Sequence, residues 1–429
     1  MEQISKKSPK SNKSKEKQKK EAESSSSSKK KVKMLKKIKT PSNGPIILSI
    51  YLGTYEGKLI VNNINIKTKE NDSNFSFSAS PSAIRTIYHK SNSLFVSGTD
   101  EVIHMYNVHK KISEGDLMTY SGTVNDIKIH DNYIIVAGEN NTIPIWRMTD
   151  FNNIIELKGH KKGINSIDMH STGGFLISGG RDNCVIIFDL LTGRKIEKFE
   201  FDYICNKVEL FDKDKYLMVV FDLHIFILDL LKSGNQGNNN IIQKLNFNKK
   251  IINAYIIKNK LVVVFTDGEI KTYELNIKEE ENTQDKNDEG KDQSQKNEDN
   301  EDKKNDKEKE KEKDGEDDKI VNISSELKFI LEKPAKKNEN DLDIRVRFVS
   351  ISKIDKIKII TISYSNNEVY FYDLNKIIKF EQIESKKEEN EHEEDKNKIN
   401  ENHLIKKYGK IDYNIPGKIT ALDTEFTRK

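Results

Sequence analysis

Residues 157–195 read LKGHKKGINSIDMHSTGGFLISGGRDNCVIIFDLLTGRK, and this stretch constrains the fold more than any other part of the chain. It opens on Gly159-His160, turns at Asp182-Asn183 and ends a run of β-forming residues at Phe188-Asp189. Asp-Asn is a residue pair that tolerates a tight turn between two strands. The pattern predicts a single four-stranded unit of antiparallel sheet.

The same unit repeats along the chain. An apolar or aromatic residue followed by a polar one marks the end of each third strand. Successive pairs are 40, 42, 40 and 45 residues apart. The pairs are Tyr106-Asn107, Trp146-Arg147, Phe188-Asp189, Leu228-Asp229 and Tyr273-Glu274. This period is typical of WD-type blades, with Phe188 where tryptophan is usual. Two further units, one around residues 57–64 and one ending at Tyr372-Asp373, bring the total to seven. The sequence predicts an all-β fold, a seven-bladed WD-repeat β-propeller.

The two ends of the chain are predicted to share a blade. The first recognisable strands, PIILSIYLG and KLIVNNI, resemble the second and third strands of a blade, since no first strand precedes them. Residues 417–426, GKITALDTEF, have the alternation of the first strands in other blades. A C-terminal strand that completes blade one would remove an open sheet edge that invites aggregation.

Three segments are too charged to fold with the blades. Residues 1–40 carry 15 lysines and 4 glutamates, while residues 278–319 and 380–402 carry net charges of about −8 and −5. Such segments bury too little apolar surface to offset their ordering entropy, so we expect them to be disordered. The predicted organisation is a lysine-rich arm over residues 1–44 and a propeller over residues 45–429, with disordered insertions at about 278–319 and 380–402.

The residue types of a hydrolase triad occur together in the best-defined unit. We interpret Ser178, His160 and Asp182 as a structural blade network, in which the aspartate bonds the histidine and the histidine bonds the serine. Because Phe188 lacks an indole N–H, the network must end at Ser178 or recruit water. No strained nucleophile turn is present, so the sequence predicts no catalytic residues and no enzyme activity.

No other motif predicts a chemical site. The sequence lacks a phosphate-cradling loop, and its nine histidines do not have zinc-ligand spacing, so we expect no cofactor, no metal and no small-molecule substrate. The N-terminus has no apolar leader, and no run reaches the ~18 residues of a membrane span. Cys184 and Cys205, placed within predicted strands, suggest a reducing intracellular compartment.

The N-terminal lysines form a dense block, KKKVKMLKKIK, over residues 29–39. We interpret them as a nuclear-targeting or RNA-contacting arm: Lys29, Lys30, Lys31, Lys33, Lys36, Lys37 and Lys39. A tail that only adds solubility is the alternative.

Blade topology predicts where the extra segments leave the propeller. Both acidic insertions follow a third strand, so both leave from one face, and the arm enters blade one on that face as well. The opposite face stays clear and carries Lys161, Lys162 and Arg181. We predict that the main partner docks on this opposite face.

Several stretches together resemble one family: GTYEG, SGTDEVIHMYNV, AGENNTIPIWRM and the LKGHKKG…GRK blade. They resemble the p21-activated protein kinase-interacting proteins, which include the fungal maintenance-of-killer WD-repeat factor. The resemblance covers residues 46–230 well and the remainder only through blade periodicity.

The resemblance implies a non-catalytic scaffold in nucleolar assembly of the large (60S) ribosomal subunit and in pre-rRNA processing. The implied partners are pre-ribosomal particle proteins, with pre-rRNA as a further candidate, and the propeller would be a monomer within a larger complex in the nucleus and nucleolus. No membrane is implied. The alternative is a signalling adaptor that binds and negatively regulates a p21-activated-type protein kinase. An enzyme that uses the central channel is the third hypothesis.

Overall fold

A computed structural model describes residues 44–118, 122–231, 240–277, 321–331, 334, 343–375, 403–405, 407, 409–411, 415 and 417–428. Over these residues the protein is all-β, with seven sheets arranged as the blades of a propeller, which confirms the predicted fold class. Apart from Gly44, the predicted arm lies outside the described residues, and so do both predicted insertions. No helix among the described residues is long and apolar enough to cross a membrane.

Blades one to four are built from the following strands. Blade one has β1 (Ile46–Thr54), β2 (Lys58–Asn65) and β3 (Asn71–Ser78); blade two has β4 (Ile84–Lys90), β5 (Ser93–Gly98), β6 (Val102–Asn107) and β7 (Ile112–Met118). Blade three has β8 (Val124–His130), β9 (Tyr133–Gly138), β10 (Thr142–Arg147) and β11 (Asn153–Lys158); blade four has β12 (Ile164–Met169), β13 (Phe175–Gly180), β14 (Cys184–Asp189) and β15 (Arg194–Glu200).

Blades five to seven follow the same plan with additions. Blade five has β16 (Lys207–Phe211), β17 (Tyr216–Val220), β18 (His224–Asp229) and β19 (Ile241–Asn246); blade six has β20 (Ile251–Ile257), β21 (Lys260–Phe265), β22 (Glu269–Ile277) and β23 (Val321–Leu331). Blade seven has β24 (Val346–Ile354), β25 (Ile357–Tyr364), β26 (Val369–Asp373) and β28 (Gly409–Lys410), while β27 (His403–Ile405) and β29 (Ile419–Arg428) join other blades.

The C-terminal strand closes the ring as predicted. β29 pairs antiparallel with β1, from Ile46 opposite Arg428 to Thr54 opposite Ile419, and takes the position of the inner strand of blade one. Side chains of β29 also bond the neighbouring blades: Thr424 contacts Ser350 of blade seven at 2.8 Å. Closure therefore removes the edge of β1 and joins three blades at one strand.

The hydrophobic core is divided among the seven interfaces between adjacent blades. The strand YLMVV, residues 216–220, is buried throughout, because its alternate side chains pack on opposite neighbours. Met218 packs towards blade six and Leu217 towards blade four. Middle strands are thus buried on both faces and have continuous apolar runs rather than strict alternation.

Tight turns join the second and third strands. Asn183 and Asn367 have positive φ angles of 62° and 66°, and Gly268 has +81°, which are conformations that Asn and Gly adopt at low cost. We call the end of the propeller that carries these turns and the blade-to-blade links the upper face. The opposite end, where first strands turn into second and third into fourth, is the lower face. Ile277 and Asn375, the last described residues before the two insertions, lie at the lower face.

Blade six has a fifth strand that the sequence pattern did not predict. β27, which follows the third strand of blade seven in the chain, pairs in parallel with β23 of blade six at Phe329, Ile330 and Leu331. Blade seven is left with the two-residue β28 as its outer strand. The chain therefore covers the outer edge of blade six before it returns to blade seven.

Two buried side chains test the sequence interpretation of the core. Trp146, the single tryptophan and one of the landmark residues, is 4% exposed and packs in the interface between blades two and three. Cys205 was predicted on a strand, and this was wrong: it lies in the link before β16. Its sulfur fills the space beside Gly179, where an added Cβ would approach it to 2.3 Å. Burial raises the pKa of both free thiols, Cys184 and Cys205.

Candidate interaction surface

The predicted network of blade four is assembled from three separate segments. His160 lies in the link before β12, Ser178 on β13 and Asp182 in the turn after β13. The Nδ1 atom of His160 is 2.9 Å from Asp182 Oδ1, and its Nε2 atom is 2.7 Å from Ser178 Oγ. The backbone N–H of Lys161 donates to the second carboxylate oxygen of Asp182 at 2.8 Å.

The directions of these hydrogen bonds follow from the protonation states. Burial lowers the pKa of His160, so the ring is neutral near pH 7 and carries one proton. Burial alone would raise the pKa of Asp182, but the Lys161 N–H and His160 lower it below its ordinary value. His160 Nδ1–H therefore donates to the carboxylate, and the Ser178 hydroxyl donates to His160 Nε2.

The network ends at Ser178. Its single hydroxyl proton goes to His160 at 2.7 Å, and the carbonyl of Ile186 is farther away at 3.3 Å. Phe188 is fully buried and contributes packing. Ser178 is 0% exposed, so its hydroxyl cannot reach a substrate from solvent. This geometry is suited to holding the blade rather than to nucleophilic attack.

Blade two holds its turn with a different histidine, which the sequence analysis did not identify. Asp100 accepts from Ser80 at 3.1 Å and lies 2.8 Å from Nε2 of His104, a residue of the third strand. Asp116 lies 2.7 Å from the other ring nitrogen. Burial alone would lower the pKa of His104, but hydrogen bonds with Asp100 and Asp116 raise it. His104 therefore bridges two carboxylates.

The central channel is polar, with a volume of about 580 Å³ between the inner strands of blades three to six. Its charged groups bond from one blade to the next: Lys128 lies 3.3 Å from Asp168, and Asp126 accepts the backbone N–H of Ile167 at 2.9 Å. Lys207 donates to the carbonyl of Ala254 at 2.7 Å. These contacts tie neighbouring blades together. Among the described residues no group of three His, Cys, Asp or Glu side chains is placed to hold a metal ion.

The three residues of the predicted partner face lie together on the upper face. Lys161 and Lys162 are exposed in the link between blades three and four. Arg181, in the turn of blade four, donates from Nε to Asn165 at 2.9 Å and lies 3.6 Å from Glu139 of blade three. Arg181 is thus fixed in position, whereas the two lysines extend into solvent.

Exposed apolar side chains lie beside these cations, and the sequence analysis did not identify them. Tyr203 and Ile204, in the link between blades four and five, are 40% and 50% exposed, and Leu223 in the next turn is 40% exposed. The Tyr203 ring lies 4.2 Å from the ring of His224, which restricts its orientation. A rigid, partly exposed tyrosine next to basic residues has the composition of a protein-interface anchor.

The lower face of blades three to five also exposes apolar groups. They are Tyr133, Phe151, Phe175, Leu191 and Leu231, of which Leu191 is 93% exposed. Tyr133, Phe151, Phe175 and Leu191 lie in or next to short turns, and no sequence period predicts exposure at such positions. Both faces therefore offer apolar contact surface, and on the upper face it lies beside Lys161, Lys162 and Arg181.

Comparisons with known proteins agree with this architecture. The WD domain, G-beta repeat model matches residues 151–189, which contain most of blade four. The chain carries a WD repeat. It is 26% identical to a p21-activated protein kinase-interacting protein 1-like of Danio rerio over 43% of the chain and 50% of that relative. It is 24% identical to Protein MAK11 of Saccharomyces cerevisiae over 57% of the chain and 67% of the relative.

A third relative, a p21-activated protein kinase-interacting protein 1-like of Xenopus laevis, is 21% identical over 52% of the chain and 61% of its own length. The matched part of this WD-repeat chain thus spans about half to two thirds of these relatives. The resemblance found in the sequence motifs is confirmed. WD-repeat propellers are generally non-catalytic scaffolds.

Proposed function

We propose that this WD-repeat protein is a non-catalytic scaffold in nucleolar assembly of the large ribosomal subunit and in pre-rRNA processing. The observation that carries the proposal is its similarity to Protein MAK11 over 284 residues, the longest of the three matches described above. The resemblance to this family in the sequence motifs implies that the fungal member is an assembly factor of the large subunit. The partly exposed side chains of Tyr203 and Ile204 suit binding of a partner, and the fully buried Ser178 suits a non-catalytic role.

We assign partner docking to the upper face. Lys161, Lys162 and Arg181 supply positive charge, and Tyr203 with Ile204 supplies apolar contact. Interfaces concentrate binding energy in a few aromatic anchors surrounded by polar groups. A protein of the pre-ribosomal particle with an apolar patch and an acidic rim would complement this surface.

The N-terminal lysines would bring the protein to the nucleus and add contacts with RNA phosphates. This proposal treats residues 1–44 as an arm separate from the propeller of residues 45–429. Deletion of Lys29 to Lys39 should shift the protein out of the nucleus and leave its melting temperature unchanged. A deletion variant that unfolds would place the domain boundary elsewhere.

Sedimentation tests the scaffold and its docking face together. A tagged full-length chain should co-sediment with large-subunit precursors at fixed salt, while a Tyr203→Ser, Lys161→Glu double variant should be released into light fractions. Leu191→Ser, an exposed apolar change on the lower face, is the matched control and should remain bound. Release by the Leu191 change alone would move docking to the lower face, and absence of the wild type from precursor fractions would contradict the scaffold.

The second candidate is a kinase-binding adaptor. Two of the relatives described above are named for interaction with p21-activated protein kinase, and this favours the alternative. An adaptor of this kind should be recovered with a kinase as its main partner and should lower the kinase's activity. Nuclear exclusion of the full chain with its arm intact would favour this function over ribosome assembly.

A further inference from the structure

The interface between blades one and two is not filled at its outer end. An apolar groove with a volume of about 260 Å³ lies there. Blade one contributes Val61, Phe75 and Phe77, and blade two contributes Leu94, Tyr106, Val108 and Ile112. An apolar cavity of ~150 Å³ holds a benzene ring, so this groove has room for one bulky side chain.

The walls of the groove are rigid. The rings of Phe77 and Tyr106 meet edge to face with centroids 4.9 Å apart. Tyr106 is fixed further, because its hydroxyl donates to the carbonyl of Ala79 at 2.8 Å. Ile112 lines the groove although it is 50% exposed, so its apolar surface faces solvent without a covering group among the described residues.

Positive charge surrounds the mouth of the groove. Lys111 lines it, with Nζ 4.6 Å from the centre of the Phe75 ring, and Lys110 is exposed next to it. The neighbouring turn of blade one carries exposed Lys67 and Lys69. Glu114 accepts a hydrogen bond from Asn107 at 2.9 Å and keeps its negative charge, because the amide donor is neutral. Among the described side chains around the mouth, four lysines outnumber the two carboxylates of Glu70 and Glu114, and this favours a negatively charged occupant.

We propose that the groove between blades one and two binds an acidic peptide segment of another protein through one bulky apolar side chain. The side chain fills the space between Phe75 and Ile112, and the flanking carboxylates contact Lys110 and Lys111. Charge around an apolar pocket would speed association and set the direction of the peptide. The site is separate from the upper-face docking surface and does not depend on the proposed ribosomal role.

A fluorescein-labelled 12-residue peptide with one central phenylalanine among glutamates and aspartates is a suitable probe. Its fluorescence anisotropy with the full-length chain should rise to saturation, and replacement of the phenylalanine by alanine should weaken binding at least about tenfold. Lys111→Glu should weaken it by about tenfold through charge reversal, and Ile112→Ser should weaken it as well. Both positions are exposed, so these variants should melt at the wild-type temperature.

Lys244→Glu is the matched control, because the Lys244 ammonium lies 5.3 Å from the ring of Phe226 in blade five, away from the groove. This variant should bind the peptide like the wild type. Equal weakening by Lys244→Glu and Lys111→Glu would show general charge attraction and overturn the proposal. It would also be overturned by no saturation at about 1 mM peptide. Binding that appears only after removal of residues 278–319 and 380–402 would assign the groove to the chain's own acidic segments instead of a partner.

Discussion

Replacement of Asp182 by alanine tests the physical interpretation of blade four. The Asp182 carboxylate is 2.9 Å from His160 Nδ1, and the side chains of the two residues are 4% and 0% exposed. Without the carboxylate, the buried Nδ1–H has no acceptor and water cannot easily reach it. A buried donor left without a partner costs about 1–3 kcal/mol, so we expect the free energy of unfolding to fall by that amount at pH 7.

Equilibrium urea unfolding, followed by circular dichroism, measures this loss. Asp189→Ala is the control in the same blade, since Asp189 also accepts two hydrogen bonds, from Leu191 N–H and Thr192 Oγ–H, but in an exposed turn. Its effect should be clearly smaller than that of Asp182→Ala, because water replaces both bonds. The His160→Ala, Asp182→Ala double variant should lose less than the sum of the two single changes, as both remove the same bond. An Asp182→Ala loss no larger than that of Asp189→Ala would refute the buried network.

Three further predictions concern other blades. Asp100 and Asp116 raise the folded-state pKa of His104, so the stabilisation by His104 is present below its unfolded pKa and is lost as pH rises through the folded pKa. His104→Ala should therefore lower the free energy of unfolding more at pH 6 than at pH 8. Equal losses at the two pH values would contradict this. Burial raises the pKa of Asp423 from 3.8 to about 6, with His89 and Glu425 beside it, so the folded state loses stability as pH rises between these values. In urea titrations, the stability of Asp423→Asn relative to wild type should therefore increase over that pH range. A constant difference between the two proteins would count against the buried charge. Trp146→Ala should cost about 3–5 kcal/mol in urea unfolding because the ring fills the interface between blades two and three, and a loss below about 1 kcal/mol would show that the ring is not packed there.

Much of the fold could be predicted because each blade carries its own local signals. The turn at Asp182-Asn183 and the pair Phe188-Asp189 lie within one unit of chain. The regular spacing of the landmark pairs indicates five blades, and the units around residues 57–64 and Tyr372-Asp373 bring the predicted count to seven. Ring closure by β29 was also predictable, since blade one lacked an inner strand and the C-terminal segment had the required alternation.

Contacts between distant segments could not be read in this way. β27 crosses from blade seven to the edge of blade six, and a strand of three residues carries no distinctive pattern. In blade four, the histidine that contacts the turn aspartate lies in the link before the first strand. In blade two, His104 of the third strand makes this contact, so the spacing of blade four could not predict it. Exposure also depends on neighbours: Tyr203 and Leu191 have ordinary apolar side chains, and only the packed structure places them at the surface. The candidate surfaces were therefore less predictable than the fold.

The most direct test of the scaffold proposal is affinity purification of the tagged full-length protein from nuclear extract, with bound RNA and proteins identified together. We predict recovery of large-subunit precursor RNA with ribosomal proteins, and loss of both in the Tyr203→Ser, Lys161→Glu variant. Recovery of a protein kinase without ribosomal RNA or ribosomal proteins would contradict the assembly role and establish the adaptor in its place.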